Sequence, residues 1–401
     1  MDEQVVIVGG ARTPMCEYSG TPGFGKLERV SAIDLGAHAA RAALARSRVA
    51  PEEVDHVVFG NALQTSIDAL YGARHVGLKA GVPQAVPGLT VNRLCGSGIQ
   101  SLVDGAHMIL LGEARTVLAG GMENMSQAPY VLYGGRQGFP FGQAPAMQDS
   151  LFGALMDPVA GLYMAQTAER LAQRLGISRE EQDAYALRSH QLGAAAVRAG
   201  RFADEIEPVA VKTRKGEELV AIDDHIRPDT TLEGLARLRP AFGKDGTVTA
   251  GNASGIVDGA AALVLTSAKR AREAKLDVWA RVVNWGVAGV DPQEMGIGPV
   301  PAIRRCLERA RVQLDDVDLV EINEAFSAQY LACERELGLD RDRCNVNGGA
   351  ISLGHPLGAT GSRLVLTLMH EMRRSARRYG IASACIGGGQ GIAILIENPG
   401  A

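Results

Sequence analysis

Short apolar runs that end in glycine alternate along the chain with longer stretches of helical spacing. "VVIVGG" (5–10) and "VDHVVFGNAL" (54–63) read as buried strands, and "AIDLGAHAARAALARS" (32–47) reads as a helix. This alternation continues to about residue 121 and predicts βαβ units around a mixed, mostly parallel sheet. From 122 to 249 the texture changes. "GGRQGFPFGQAPAMQ" (134–148) is loop, and 165–200 reads as two helices, the second opened by the capping pair Ser178 and Glu181. "VKTRKGEEL" (211–219) is charged and irregular. At "TVTAGNASGIVDGAAALVLTS" (247–267) the α/β pattern returns and runs to the end.

The two α/β stretches echo each other. "PEEVDHVVFGNA" (51–62) parallels "LDDVDLVEINEA" (314–325). "VNRLCGSG", a helix and "ARTVLAGG" parallel "VNGGAISLGHPLGATG", a helix and "IASACIGGG". The order matches as well as the letters, so a duplicated α/β unit is expected. The expected organisation is an N-terminal α/β domain (1–121, completed by 250–275), an inserted loop domain (122–249) and a C-terminal α/β domain (276–401).

Composition narrows the class. Hydrophobic residues are 46% and charged residues 21%, ordinary for a globular enzyme. Aromatics are only 4% against 49 glycines, so an aliphatic core with many close backbone approaches is expected. A net charge of -4 gives no reason to expect nucleic acid. No apolar run approaches the ~18 residues of a membrane span. "MDEQVVIVGG" lacks the features of a targeting leader, and the six cysteines have no regular spacing, which together predict a reduced, cytoplasmic protein.

Candidate chemistry gathers at glycine-rich turns. Cys95 lies between a strand-like run and a helix, where a helix N-terminus favours a thiolate. Gly96 and Gly98 would let backbone approach a ligand. His355, before Pro356, sits in the corresponding loop of the second unit. Cys with His is the minimum for an activated thiol. Cys385 precedes Gly387, Gly388 and Gly389, whose N–H groups could form an oxyanion hole. Asn323 ends another apolar strand. Singly, each is more often a core or turn residue; four at strand ends together point to one site.

Other motifs fail. "GTPGFGKL" (20–27) has Leu27 where a phosphate loop needs Ser or Thr for magnesium. "VVIVGGART" lacks the dinucleotide glycine pattern, and no C-x-x-C or H-E-x-x-H suggests a metal. No metal or cofactor is therefore expected.

"NRLCGSGIQS", "GGMENMSQAP", "TVTAGNASGIVDGAA", "INEAF", "NVNGGAISLGHPLGATGSR" and "CIGGGQGIA" together resemble the thiolases, over essentially the whole chain. "RPDTTLEGLARL" and "GPVPAI" look most similar to the 3-ketoacyl-CoA thiolases. The resemblance implies a five-layered α-β-α-β-α fold and a loop domain that binds coenzyme A (CoA) and builds a homotetramer. It implies Cys95 as acyl-accepting nucleophile, His355 as its base and Cys385 as acid/base at the substrate α-carbon. Asn323 would hold a water that stabilises the enolate oxygen with His355, and the N–H groups of Cys95 and Gly387 would form a second oxyanion hole. Arg227, Ser254, Leu155, Phe242, Ala325 and Phe326 align with CoA contacts, and Met164 and Met295 with the acyl pocket. CoA and acyl-CoA are thus the implied partners, as substrates. Thr360 stands where Ser is frequent, and Tyr163 where biosynthetic acetoacetyl-CoA enzymes have His. A decarboxylating condensing enzyme would carry a second histidine in place of Cys385. A cysteine hydrolase would leave that second thiol unexplained, and a silent scaffold would not keep all four groups. The basic residues Lys212, Arg214, Lys215, Arg227, Arg237, Arg239 and Lys244 are expected to form a collar for the CoA phosphates.

Overall fold

The computed structural model describes residues 4–214, 216–243 and 245–401; Lys215 and Lys244 of the expected collar lie outside the described residues. The main strands are β1 (Val5–Arg12), β2 (His56–Gly60), β3 (Gly88–Val91), β4 (Thr116–Glu123), β5 (Val257–Ser267), β6 (Ala280–Gly289), β7 (Leu319–Ile322), β8 (Tyr379–Ile386) and β9 (Gln390–Glu397). The main helices are α1 (Ala32–Ser47), α2 (Gly72–Lys79), α3 (Ser97–Leu110), α4 (Met164–Leu175), α5 (Arg179–Arg198), α6 (Pro299–Ala310), α7 (Ser327–Leu337) and α8 (Leu357–Arg374). The strands join in the order β7-β8-β9-β6-β1-β5-β4-β2-β3.

Strand pairing repeats between the halves. β2 runs parallel to β4, β4 antiparallel to β5, and β5 antiparallel to β1. In the second half β7 is parallel to β8, β8 antiparallel to β9, and β9 antiparallel to β6. The halves meet at a narrow seam, where Val6 faces Arg281 and Ile7 faces Ala280. The sheet is mixed as expected, but antiparallel pairs outnumber parallel ones. The glycine turn 387–389 folds β9 straight back on β8, and a tight turn of that kind permits only antiparallel pairing.

Helices complete five layers. α1 and α2 cover the outside of the first half, and α6 covers the outside of the second. α3 and α8 lie between and touch strands of both halves. α8 is buried on every side from Leu357 to Met369, as a central-layer helix must be. A Cβ on Gly98 would lie 2.4 Å from the Ser362 nitrogen, and one on Gly361 2.3 Å from the Ile99 nitrogen. The two helices therefore cross in backbone contact near their N-termini. Gly96 and Gly98 face protein rather than ligand: a Cβ on Gly96 would meet Ile386 at 2.6 Å.

Between β4 and β5 the chain forms α4, α5 and short hairpins. Ser178 and Glu181 cap α5 reciprocally, with Ser178 N–H donating to Glu181 Oε2 at 2.8 Å. This stretch is tied to β1 by Arg12, which is buried and donates to Glu205 Oε1 at 2.7 Å and to both oxygens of Asp223 at 2.7 and 2.8 Å. Among the described residues no helix is long and apolar enough to cross a membrane.

Gly361→Ala should force α3 and α8 apart. We expect about 1–3 kcal/mol of lost stability from overpacking, read as a lower unfolding midpoint, with activity falling as well because both helices begin at the candidate site.

Candidate active site

Cys95 sits in a single helical turn, Leu94–Gly96, directly before α3. Leu94 holds a left-handed backbone at φ 46°, unusual for a branched residue, and its N–H is held by Asn92 Oδ1 at 2.9 Å. The half-buried Cys95 packs with Leu63, Ala128 and Ile256 against Met125, Leu151 and Leu357. The N–H groups of Gly387 and of Cys95 itself favour the thiolate, but burial outweighs them and pushes the thiol up to about 12. The sequence-based expectation of a stabilised thiolate is thereby corrected. The apolar wall costs a lone negative charge more than a few N–H dipoles return.

His355 follows Gly354 and precedes α8, and it is buried. Its Nδ1 lies 2.6 Å from Thr360 Oγ1, and Thr360 donates its own proton to the Pro356 carbonyl at 3.0 Å. Thr360 can then only accept from the ring, which assigns the imidazole proton to Nδ1 and leaves Nε2 as an acceptor. Nε2 faces Asn323 Nδ2 at 3.4 Å. Burial first, and the Arg363 charge second, push the imidazole down to about 3. At neutral pH the site therefore holds a neutral imidazole and a neutral thiol.

Asn323 closes β7, its N–H donating to Ser383 O on β8 at 2.9 Å, while its Oδ1 is buried without a protein partner. Cys385, near the end of β8, is fully buried among Met295, Ala325, Met164 and Phe326. Its thiol is held well above the usual range, by burial and then by the adjacent Cys95 and Cys333 thiols. The Gly387 N–H bonds to Cys95, and a Cβ at Gly387 would crowd Leu94 at 3.2 Å and Met164 at 3.3 Å. The structure thus brings Cys95, Cys385 and Gly387 together, and pairs His355 with Asn323.

The other expected residues fall into two groups. Met164 N–H donates to Leu155 O at 2.8 Å, and Phe152, Tyr163 and Phe242 form a run of touching rings, 4.7 and 5.3 Å between centres. Ser254 N–H donates to Ala325 O at 3.0 Å, and Ala253 bridges to Phe326. Arg227 lines a separate cleft of about 430 Å³ with Glu17, His190, His225 and Leu235. Its guanidinium is paired to Glu17 and lies 4.7 Å over the Phe24 ring. Among the described residues the basic side chains do not form one collar: Lys212 and Arg214 line another hollow with Lys26 and Arg29, and Arg237 and Arg239 are exposed. Charge density along a sequence could not anticipate that Glu17, distant in the chain, would neutralise Arg227.

Residues 5–269 match the thiolase N-terminal domain and 276–398 the thiolase C-terminal domain. The chain belongs to the thiolase family. It is accordingly an acyltransferase. The human mitochondrial 3-ketoacyl-CoA thiolase is 52% identical, with 98% of each chain covered. An acetyl-CoA acetyltransferase of Pseudomonas aeruginosa is 48% identical, covering 98% of this chain and 99% of the relative. A crystal structure of the human mitochondrial enzyme in complex with CoA superposes with a TM-score of 0.95 at 51% identity, covering 99% of this chain and 98% of that one.

Two polar residues to which the sequence gives no role contact the loop and helix turn of His355 in the structure. In the sequence Thr360 stands only as a variant of Ser, although its place five residues after His355 is the available signal for a ring partner. Glu123 falls in "GGMENMSQAP", past the last strand expected there, with no role of its own.

Thr360→Val keeps the volume and removes the acceptor that fixes the imidazole proton. We expect kcat to fall roughly 10–100-fold with KM for CoA little changed. Steady-state kinetics at several CoA concentrations checks this; an unchanged kcat would remove Thr360 from the site.

Proposed function

We propose that this thiolase cleaves 3-ketoacyl-CoA with CoA to acetyl-CoA and a shortened acyl-CoA, and runs the reverse Claisen condensation, through an acyl-Cys95 intermediate. The observation that carries the reading is the meeting of two thiols beside the Gly387 N–H, with the His355–Asn323 pair at the start of the neighbouring central helix. One thiol would suffice for hydrolysis; two divide carbon–carbon cleavage into acyl transfer and proton transfer.

The steps follow from the neutral resting pair. His355 Nε2 takes the Cys95 proton as the sulfur attacks the 3-keto carbon. The C2–C3 bond breaks, and the enolate of acetyl-CoA takes a proton from Cys385. His355 and a water held by Asn323 stabilise the thioester oxygen in this step, while the Cys95 and Gly387 N–H groups hold the ketone oxygen. After acetyl-CoA leaves, the incoming CoA thiol gives its proton to the Cys385 thiolate and attacks the acyl-Cys95 carbonyl. Cys95 departs and recovers its proton from the imidazolium, which closes a ping-pong cycle. CoA lies along the Leu155, Tyr163, Phe242, Ser254, Ala325 and Phe326 surfaces, with its nucleotide toward Arg227, and the acyl chain toward Met164 and Met295. The exposed Tyr130, Tyr133, Phe141 and Met147 support assembly into a homotetramer through this stretch.

The 48% identity to an acetyl-CoA acetyltransferase favours a second reading, mainly condensing two acetyl-CoA. Rates of thiolysis across acyl lengths separate the two: a preference for chains longer than acetoacetyl supports the degradative role.

Wild-type protein mixed with acetyl-CoA should carry an acetyl group on the Cys95 peptide by mass spectrometry, and Cys95→Ser should not. An adduct found only elsewhere sinks the assignment. Cys385→Ala should still acetylate Cys95 yet lose exchange of the acetyl-CoA α-protons with deuterated water. Exchange at the wild-type rate would show that another group is the α-carbon base.

A further inference from the structure

Glu123, the last residue of β4, is fully buried, and nothing in the catalytic cycle above uses it. Its carboxylate accepts four hydrogen bonds. Asn61 Nδ2 donates to Oε1 at 2.8 Å, Leu63 N–H to Oε1 at 3.0 Å, Ala62 N–H to Oε2 at 3.1 Å and Gly358 N–H to Oε2 at 2.8 Å. The first three donors lie in the loop after β2, and the fourth lies three residues after His355, in the first turn of α8.

Both sides lead to the reacting groups. Ala62 and Leu63 share the apolar cluster that holds Cys95 and Leu357. The Ala62 carbonyl accepts from Asn92 Nδ2 at 3.1 Å, and Asn92 holds the Leu94 N–H beside Cys95. On the other side, the contact at Gly358 fixes the turn that carries His355 and Thr360. The surrounding backbone is built for this approach. A Cβ on Gly121 would lie 1.9 Å from the Gly358 oxygen, and one on Gly358 2.7 Å from the Met122 oxygen.

We propose that Glu123 is a positioning residue: its carboxylate clamps the loop behind Cys95 to the turn that carries His355, setting nucleophile and base against each other across the two halves of the chain. This rests on the reading of Cys95 and His355 as nucleophile and base. The same charge also bears on the sulfur. Burial raises Glu123 to about 7, with Asp258 on β5 adding to the shift and the N–H donors opposing it, so it is ionised at mildly alkaline pH. It then contributes to holding the Cys95 thiol neutral.

Two variants separate the clamp from the charge. Glu123→Gln removes the charge and half of the acceptor capacity. Asn61→Ala removes one donor and leaves the charge. The readouts are thiolysis kinetics with acetoacetyl-CoA, and the pH dependence of Cys95 alkylation by iodoacetamide, located by peptide mass spectrometry. For Glu123→Gln we expect kcat lowered roughly 10–100-fold, the scale of a misplaced general base, with KM for CoA within about twofold because the CoA contacts lie elsewhere. Its Cys95 alkylation should rise at lower pH than in wild type, a shift that merely loosened packing would not produce without a matching change in Asn61→Ala. Asn61→Ala should lower kcat less and leave the alkylation profile in place. Wild-type kcat in Glu123→Gln, or alkylation profiles that move equally in both variants, would overturn the proposal. If Glu123→Gln does not fold, Asn61→Ala decides alone, and an unchanged kcat there overturns the clamp. Alkylation needs no turnover, so failure of the thiolase reading, seen as wild-type protein that never acylates Cys95, is told apart from failure of the clamp.

Discussion

The backbone contact between α3 and α8 at Gly98 and Gly361 is the constraint on which the site depends. Each helix begins where one half of the duplicated chain delivers its reactive loop, Cys95 ahead of α3 and His355 ahead of α8. Two helices that touch without intervening side chains bring their N-termini within reach of one substrate. A pair of alanines at those positions would hold the loops apart. The sheet seam of two residue pairs is too slight to impose this register, so the central layer sets it.

That burial also sets the electrostatics. Away from water a lone charge is expensive, so the thiol is raised and the imidazole lowered, and the resting pair is neutral. In the proposed cycle, charge would then develop only as the acyl carbon is attacked, where oriented N–H groups and the Asn323 amide would meet it. A resting thiolate would be a better nucleophile for any electrophile; the neutral pair couples ionisation to a bound substrate.

The insertion is held to the duplicated frame by charges satisfied in place. Arg12 on β1 engages Glu205 and both oxygens of Asp223, so losing either partner would leave a buried charge uncompensated. Glu324, next to Asn323, accepts from Tyr185 at 2.8 Å and Ser189 at 2.7 Å of α5, so the helix of the insertion buttresses the strand end that carries the site.

Much of this was legible in the sequence. Periodicity located β1, α1 and β2, the paired echoes announced two copies of one α/β unit, and Cys95, His355 and Cys385 beside glycine-rich turns, with Asn323 after an apolar strand, stood out as candidates, because turns at strand ends need residues with little steric demand. Tertiary structure alone decided the rest. Strand direction follows from how the glycine turn reverses β9 and how β5 returns after the insertion, which no local pattern records. The protonation state of Cys95 depends on walls supplied by Met125, Leu151 and Leu357, residues far apart in the chain. Arg227 reads as a free cation until Glu17 is placed beside it, and Glu123 has no role until four donors, three from the loop after β2 and one from the first turn of α8, converge on it. Sequence carries local propensity and chemical identity, whereas dielectric, charge pairing and the meeting of loops are properties of packing.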